Sequence, residues 1–255
     1  MSVVFKFFDM RKIAPIVFII VLLGGTLQGT ARAQSVALRE EFTSLANWKH
    51  YQFPKVDRLS EYSVVAIGND SVLRTSSDNS ASALLLQKTF KVDSFPVLRW
   101  RWKVQNIYQN GDEVTKAGDD YALRIYVNFK YEPEYASFLD RAKYSMAKAI
   151  FGEYPPHSAL SYIWANRTHN KRILPNPFQK EKTKMVIVRE GKACLGVWKT
   201  EEVNILENYR EAFGRAPPDI ASLAIMNDSD GTGEKSVSYL DYIILQSGKN
   251  EAGSQ

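Results

Sequence analysis

Alternating apolar and polar residues mark the strands that dominate this chain. In the segment 97–104 (VLRWRWKV), apolar residues take every second position and basic residues lie between them. The segment 121–129 (YALRIYVNF) alternates in the same way and puts Arg124, Tyr126 and Asn128 on its polar face. Side chains alternate between the two faces of a strand, so this pattern predicts strands with one buried and one polar face. Other runs predict further strands at 36–42, 62–67, 71–76, 81–90, 159–165, 184–190, 193–199, 219–226 and 236–246.

Two segments have helical periodicity instead. Residues 135–151 gather their apolar positions on one helical stripe, which we expect to pack across a sheet or over its rim. A second helix is predicted at 205–213, with Asn204 as its N-cap and Gly214 as its terminator. Around ten strands with two helices indicate an all-β fold. The prediction is a jelly-roll-like β-sandwich with one helical insertion and one short helix.

The first 33 residues have the pattern of a secretory signal peptide. A basic stretch precedes an apolar run at 13–23, and an Ala-Arg-Ala cleavage site ends at Ala33. The run is shorter than the roughly 20 apolar residues that a spanning helix needs. We therefore expect cleavage, export to a bacterial periplasm and no stable membrane insertion afterwards. The mature chain is then a single domain over 34–247 with a flexible tail at 248–255.

Charge and cysteine content narrow the functional classes. The formal net charge is +5, and the first 33 residues contribute +3 of it, so the remainder carries +2. This balance gives no argument for nucleic acid or an anionic membrane as a partner. Cys194 is the one cysteine of the chain, so no intrachain disulfide forms and stability comes from an apolar core.

A polar row at the second alternating strand is the first candidate site. Two carboxylates come just before this strand, whose polar face can bind a sugar because tyrosine stacks on sugar rings while arginine and asparagine donate to hydroxyls. A tryptophan followed by polar residues is expected to line the same groove. The predicted ligand-binding residues are Asp119, Asp120, Arg124, Tyr126, Asn128 and Trp164. The alternatives are a turn whose acids neutralise the arginine, and a tryptophan in the core.

An acidic, glycine-rich loop before the last predicted strand is the second candidate site. The segment 227–234 (NDSDGTGE) contains Asp228, Asp230 and Glu234, whose oxygens suit a hard cation. We predict a weak structural Ca²⁺ site there, and the alternative is a plain hairpin loop. The three histidines of the chain form no zinc motif.

The sequence contains no G-x-S-x-G, P-loop or G-x-G-x-x-G motif, which argues against a hydrolase of the nucleophile-elbow type, an NTPase and a Rossmann protein. Three functional hypotheses remain. The favoured one is a non-catalytic periplasmic module that binds a glycan or another small polar ligand. The second is an envelope polysaccharide hydrolase or lyase that uses the carboxylates of the two candidate sites. The third is an envelope scaffold, which an exposed apolar patch would indicate.

Several blocks of the sequence occur together in a known family. They are RWRW at 99–102, GDDYALRIYV at 118–127, LSYIW at 160–164, NYREAFG at 208–214 and AIMNDSDGTGE at 224–234. Over roughly residues 38–246 the chain resembles the bacterial exported domain-of-unknown-function family 3047. The resemblance implies one exported domain of jelly-roll-like type, and it implies no activity, substrate or catalytic residue.

Overall fold

Strands are the main regular secondary structure of the computed structural model, which describes residues 34–54, 56–133, 138–151 and 154–248. The predicted signal peptide and residues 249–255 of the predicted tail lie outside the described residues. The strands are β1 (Val36–Glu40), β2 (Trp48–Tyr51), β3 (Glu61–Ile67), β4 (Asp70–Asp78), β5 (Ala81–Leu86), β6 (Phe90–Lys91), β7 (Val97–Val104), β8 (Arg124–Phe129), β9 (Ser158–Ala165), β10 (Ile173–Pro175), β11 (Thr183–Glu190), β12 (Lys199–Asn204), β13 (Ile220–Asp228) and β14 (Lys235–Gln246). The helices are α1 (Phe138–Phe151) and α2 (Ile205–Phe213).

The strands form two sheets that enclose one main core. The smaller sheet has the order β12-β7-β14-β4-β3, with β1 beside β14. The larger sheet has the order β10-β11-β9-β8-β13-β5-β2, with β6 beside β13. The β9–β11 pair is parallel, and the other described pairs are antiparallel. The chain passes repeatedly from one sheet to the other, so the fold is an all-β sandwich of jelly-roll type, as predicted.

The alternation in β7 and β8 decides which side chains fill the core. Trp100 and Trp102 of β7 are fully buried against the inner face of the larger sheet, where Trp100 packs on Tyr162 with ring centroids 5.5 Å apart. In β8, Ile125, Val127 and Phe129 face inward, and the polar row lies on the outer face of the larger sheet.

The structure confirms some predicted elements and corrects others. The strand 97–104 and the helix 205–213 are confirmed with their predicted bounds. The Asn204 side chain accepts from two backbone N–H groups, and Gly214 is left-handed at φ +68°. The predicted strand at 193–199 is wrong, because these residues form turns up to 197 and the strand begins at Lys199. The sequence pattern predicts neither β2 nor β10, and of β12 it predicts only Lys199.

Helix α1 forms, but the described residues of its predicted apolar stripe are exposed instead of packed on a sheet. Phe138 is 83% exposed and Met146 is 67% exposed, while Tyr144 on another side of the helix is buried. Within the part of the chain that the structure describes, no helix is both long and apolar enough to cross a membrane.

Candidate functional site

One end of the outer face of the larger sheet gathers charged side chains from three parts of the chain. The loop before β8 contributes two aspartates, β8 begins with an arginine, and the end of β13 with its following loop contributes two more aspartates. Strands β8 and β13 are antiparallel with Arg124 opposite Met226, so Asp228 shares the outer face with Arg124. We call this group the polar site; it consists of Asp119, Asp120, Arg124, Asp228 and Asp230.

A buried arginine holds the polar site together. The Nη2 atom of Arg124 forms a short ion pair with Oδ2 of Asp228, and Nη1 lies 3.5 Å from Oδ1 of Asp119. The three side chains are at least 95% buried. The guanidinium carbon lies 4.7 Å from the ring centroid of Tyr121 and 5.4 Å from that of Tyr126, so aromatic rings contact the cation as well.

Three polar atoms in this arrangement have no hydrogen-bond partner among the described residues. They are Nε and Nη1 of Arg124 and Oδ1 of Asp119, and all three are buried. The other carboxylate oxygen of Asp119 accepts from the Nδ2 amide of Asn176 at 2.8 Å. Buried donors and acceptors are nearly always paired in native proteins, so these three atoms mark a place where a hydroxyl or water belongs.

The remaining carboxylates form a compact group beside the arginine. Asp120, Asp228 and Asp230 each offer an oxygen within 4.8 Å of the others. The backbone N–H of Thr232 donates to Oδ2 of Asp120 at 2.6 Å, which ties the two loops together. A Cβ at Gly231 would lie 2.8 Å from the carbonyl oxygen of Ala117, so glycine is needed for this close approach.

Burial raises the pKa values of three acids at the polar site. Burial raises the pKa of Asp119, although Arg124 and the Asn176 amide oppose the shift. Burial also raises the pKa of Asp120, although hydrogen bonds from the side chain and backbone of Thr232 oppose the shift. The pKa of Asp228 rises well above its ordinary value because burial and the neighbouring carboxylates together outweigh Arg124.

A comparison with protein families gives a match to the model described as "Protein of unknown function (DUF3047)" over residues 46–244. This chain belongs to the DUF3047 family. The resemblance seen in the sequence blocks is thereby confirmed. A comparison with curated proteins found no match.

Several solved structures are similar to this DUF3047 member in fold. The lectin from Bauhinia forficata in complex with GalNAc is 8% identical at a TM-score of 0.41, and the match covers 86% of this chain and all of the lectin. The Emp47p carbohydrate recognition domain is 8% identical at a TM-score of 0.42, with coverages of 84% and 97%. The enzymatically active domain of bacteriophage CBA120 tailspike protein 4 is 7% identical at a TM-score of 0.37, and the match covers 81% of this chain but 20% of the tailspike. Likenesses at this level assign neither a ligand nor an activity to this chain.

The predicted ligand-binding residues of this DUF3047 member divide into three groups. Asp119, Asp120 and Arg124 meet in the polar site, while Tyr126 and Asn128 lie half-buried farther along the outer face of β8. Trp164 requires a correction, because it lies in the core and lines no groove. It is 1% exposed, its ring packs 5.7 Å from that of Trp102, and its Nε1 donates to the carbonyl of Gly191.

The predicted metal ligands separate in the same way. Asp228 and Asp230 come together, but the carboxylate of Glu234 accepts from the backbone N–H groups of Gln109 and Asn110 at 3.0 and 2.8 Å. Asp120 takes the place in the carboxylate group that the sequence assigned to Glu234. The calcium site stays a prediction.

Sequence reasoning missed a second buried network behind the polar site. Glu113 is fully buried, with Oε2 2.7 Å from Nε2 of His169 and Oε1 accepting from the backbone N–H of Asn166 at 2.6 Å. The Asn166 amide in turn donates to the carbonyl of Asp120 at 2.9 Å. The local sequence feature that belongs to this network is Gly111. A Cβ there would lie 2.4 Å from Cγ of Asn166, so the close approach of the two residues requires glycine.

Proposed function

We propose that this protein is an exported, non-catalytic module that binds a glycan or another hydroxyl-rich polar ligand at the polar site. One observation carries the proposal: Arg124 and Asp119 present buried donors and a buried acceptor that make no hydrogen bond with any described residue. Burying polar atoms without a hydrogen bond costs folding free energy unless a ligand or a water molecule pairs with them.

The chemistry of the unsatisfied atoms favours a hydroxyl over other ligand groups. The Nη1 donor of Arg124 lies 3.5 Å from the Oδ1 acceptor of Asp119. A hydroxyl both accepts and donates, so a single sugar hydroxyl can accept from Arg124 and donate to Asp119. A carboxylate or phosphate would satisfy Arg124 but offers no donor to Oδ1 of Asp119.

The surroundings of the polar site suit a ligand larger than one hydroxyl. Tyr126 and Asn128 continue the polar row along β8, and both are half-buried. A tyrosine ring can pack on the apolar face of a sugar, and an asparagine amide can both donate to and accept from hydroxyls. Asp230 is the exposed residue of the polar site, so we expect a ligand to reach the site from the side of Asp230.

The proposed location is the periplasm, and its support comes from the sequence. Residues 1–33 have the basic, apolar and Ala-x-Ala parts of a secretory signal. Cell-envelope glycans are therefore the first ligands to test.

The test is a glycan array followed by calorimetric titration of the ligands that bind. Asp119→Asn keeps an oxygen for Asn176 but removes the acceptor next to Arg124, so we expect at least about tenfold weaker binding. Asp241→Asn is the matched control, because Asp241 also pairs with an arginine, Arg101 at 2.8 Å, but contributes no atom to the polar site. Well-folded protein that binds no envelope glycan, or equal affinities for both variants, would refute the proposal.

The compact carboxylate group favours a second candidate, a polysaccharide hydrolase. Oxygens of Asp120 and Asp228 lie within 4.8 Å of each other, and both groups have raised pKa values. A protonated carboxylic acid beside an ionised one is the arrangement that retaining glycosidases use, with the two groups about 5–5.5 Å apart.

Release of reducing ends from envelope polysaccharides separates the two candidates. A hydrolase requires that Asp228→Asn abolish release while Asp241→Asn leaves it unchanged. Binding without any release by the wild-type protein supports the binding module and removes the hydrolase.

A further inference from the structure

Helix α1 carries an apolar stripe that points away from the sandwich. Phe138 and Met146 are 83% and 67% exposed, and Ala142 between them is exposed as well. At 100° per residue these three side chains span an arc of about 80°, and the stripe runs about 12 Å along the helix axis. Isolated exposed apolar residues are common on protein surfaces, but two large ones aligned on one helical face indicate an interaction surface.

The opposite side of α1 is the one that holds it to the sandwich. Tyr144 lies two positions from both Ala142 and Met146, which is about 200° around the helix. Its ring stacks on that of Tyr131 with centroids 3.7 Å apart, and its hydroxyl donates to the carbonyl of Pro156 at 3.3 Å. The ammonium group of Lys182 donates to the same hydroxyl at 3.1 Å. The helix is therefore docked by Tyr144 with its apolar stripe outward.

Basic residues accompany the apolar stripe. The sequence of α1 contains three basic residues and one acidic residue, a net charge of +2. Among the described side chains, Arg141 and Lys148 are exposed. The ammonium group of Lys148 lies 4.5 Å from the ring centroid of Tyr154. Lys182 adds a further positive charge at the docked side. Apolar residues on one side and cations beside them are the pattern of helices that lie in a membrane interface.

We propose that α1 attaches the folded protein reversibly to an anionic membrane surface, with Phe138 and Met146 entering the boundary between headgroups and acyl chains. The positive charge of the helix selects an anionic lipid surface over a neutral one. This contact is peripheral and differs from spanning, because α1 is too short to cross the hydrocarbon layer. It is local to α1 and does not depend on the small net charge of the mature chain.

Vesicle co-sedimentation of the purified protein tests the proposal. One set of vesicles contains phosphatidylcholine alone, and the other contains phosphatidylcholine with phosphatidylglycerol. We expect binding to the anionic vesicles that weakens with rising ionic strength, and a partition coefficient at least about tenfold lower for Phe138→Asp with Met146→Asp. All variants share the first 33 residues, so any contribution of that segment is common to them.

A matched control separates α1 from apolar exposure elsewhere. Phe178 is 59% exposed on the loop after β10, and Phe178→Asp should leave vesicle binding unchanged. The substituted side chains point to solvent, so thermal midpoints should also be unchanged. If the substitutions Phe138→Asp and Met146→Asp disturb α1, the vesicle assay is repeated with the milder double variant Phe138→Ser with Met146→Ser.

Three outcomes would overturn the proposal. One is equal vesicle binding by the α1 variant and the wild-type protein, and another is equal binding to neutral and anionic vesicles. The third is a wild-type dimer that the α1 variant converts to a monomer without any vesicle binding, because a second copy of the chain would then cover the stripe. Slower hydrogen exchange at 138–151 on addition of anionic vesicles would support the membrane contact independently.

Discussion

Replacing Arg124 tests the energetic reasoning about the polar site. The variant Arg124→Met keeps the length of the side chain but removes the cation that contacts Asp119 and Asp228. Removing one partner of a buried ion pair costs about 3–5 kcal/mol, because the other charge stays buried and unpaired. For a domain of this size that corresponds to a drop of about 6–20 °C in the melting temperature.

The pH dependence of this loss is a second part of the same prediction. Without the cation, burial and the neighbouring acids raise the pKa of Asp228 further, so the carboxyl binds a proton in the folded state. The unfolded state has released that proton above about pH 4, so stability falls as the pH rises through the raised pKa. Urea unfolding followed by tryptophan fluorescence should therefore show a smaller loss at pH 5 than at pH 8.

An arginine on the other sheet is the control for Arg124→Met. Arg101 also forms an ion pair with an aspartate at 2.8 Å, but its side chain is 39% exposed, so Arg101→Met should cost no more than about 1 kcal/mol. The double variant Arg124→Met with Asp228→Asn should recover part of the loss, since no charge is then left at position 228. Equal losses in the two single variants, or a loss at Arg124 that does not change with pH, would refute the reasoning.

Three further predictions concern pH, packing and metal. The wild-type protein should be less stable at pH 8 than at pH 5, because burial raises the pKa of Asp120 and its carboxyl binds a proton more tightly in the folded than in the unfolded state. Urea titrations should show that Asp120→Asn reduces this difference, and an unchanged difference would contradict the role of Asp120. Gly231→Ala should destabilise by about 1–3 kcal/mol, because its Cβ would lie 2.8 Å from the carbonyl oxygen of Ala117. In the same unfolding assay Gly248→Ala, whose nearest contact is 3.7 Å, should change little; similar effects would contradict the packing argument. The calcium prediction is tested by thermal unfolding with Ca²⁺ against chelator, where ten times Kd should raise the midpoint by about 2–4 °C and equal midpoints would contradict it.

The edge of the smaller sheet shows where apolar patterns mislead. The run at 193–197 is apolar and was predicted as part of a strand, but Gly196 has φ +73° and the chain turns there. Strand β12 follows instead with the acidic sequence KTEEVN. Its Glu201 is buried because it accepts from Nε1 of Trp102 at 3.1 Å and from Nε of Arg189 at 2.7 Å. A buried acid paired across strands carries no local signal, so the strand was missed.

The candidate site was predictable only as far as its parts are local in sequence. Asp119, Asp120 and Arg124 lie within six residues, and their grouping at the start of β8 could be inferred from the strand pattern. The addition of Asp228 depends on the β8–β13 register, which no local pattern specifies. The prediction for Trp164 is wrong because β9 is buried along its whole length, so the apolar residues of this strand do not reveal which face meets the core.

The energetic cost of the polar site is the strongest reason to assign it a function. Apolar residues of similar volume often replace a buried ion pair without loss of stability, so such a pair is weak evidence of a stabilising role. The sandwich already has a continuous core of aromatic and aliphatic side chains that does not use Arg124. Yet this site buries a guanidinium among acids with raised pKa values and leaves three of its polar atoms without a hydrogen bond among the described residues. Perturbed acids and buried donors without a hydrogen bond in one place are typical of groups that act on a ligand, which supports the binding function proposed for this site.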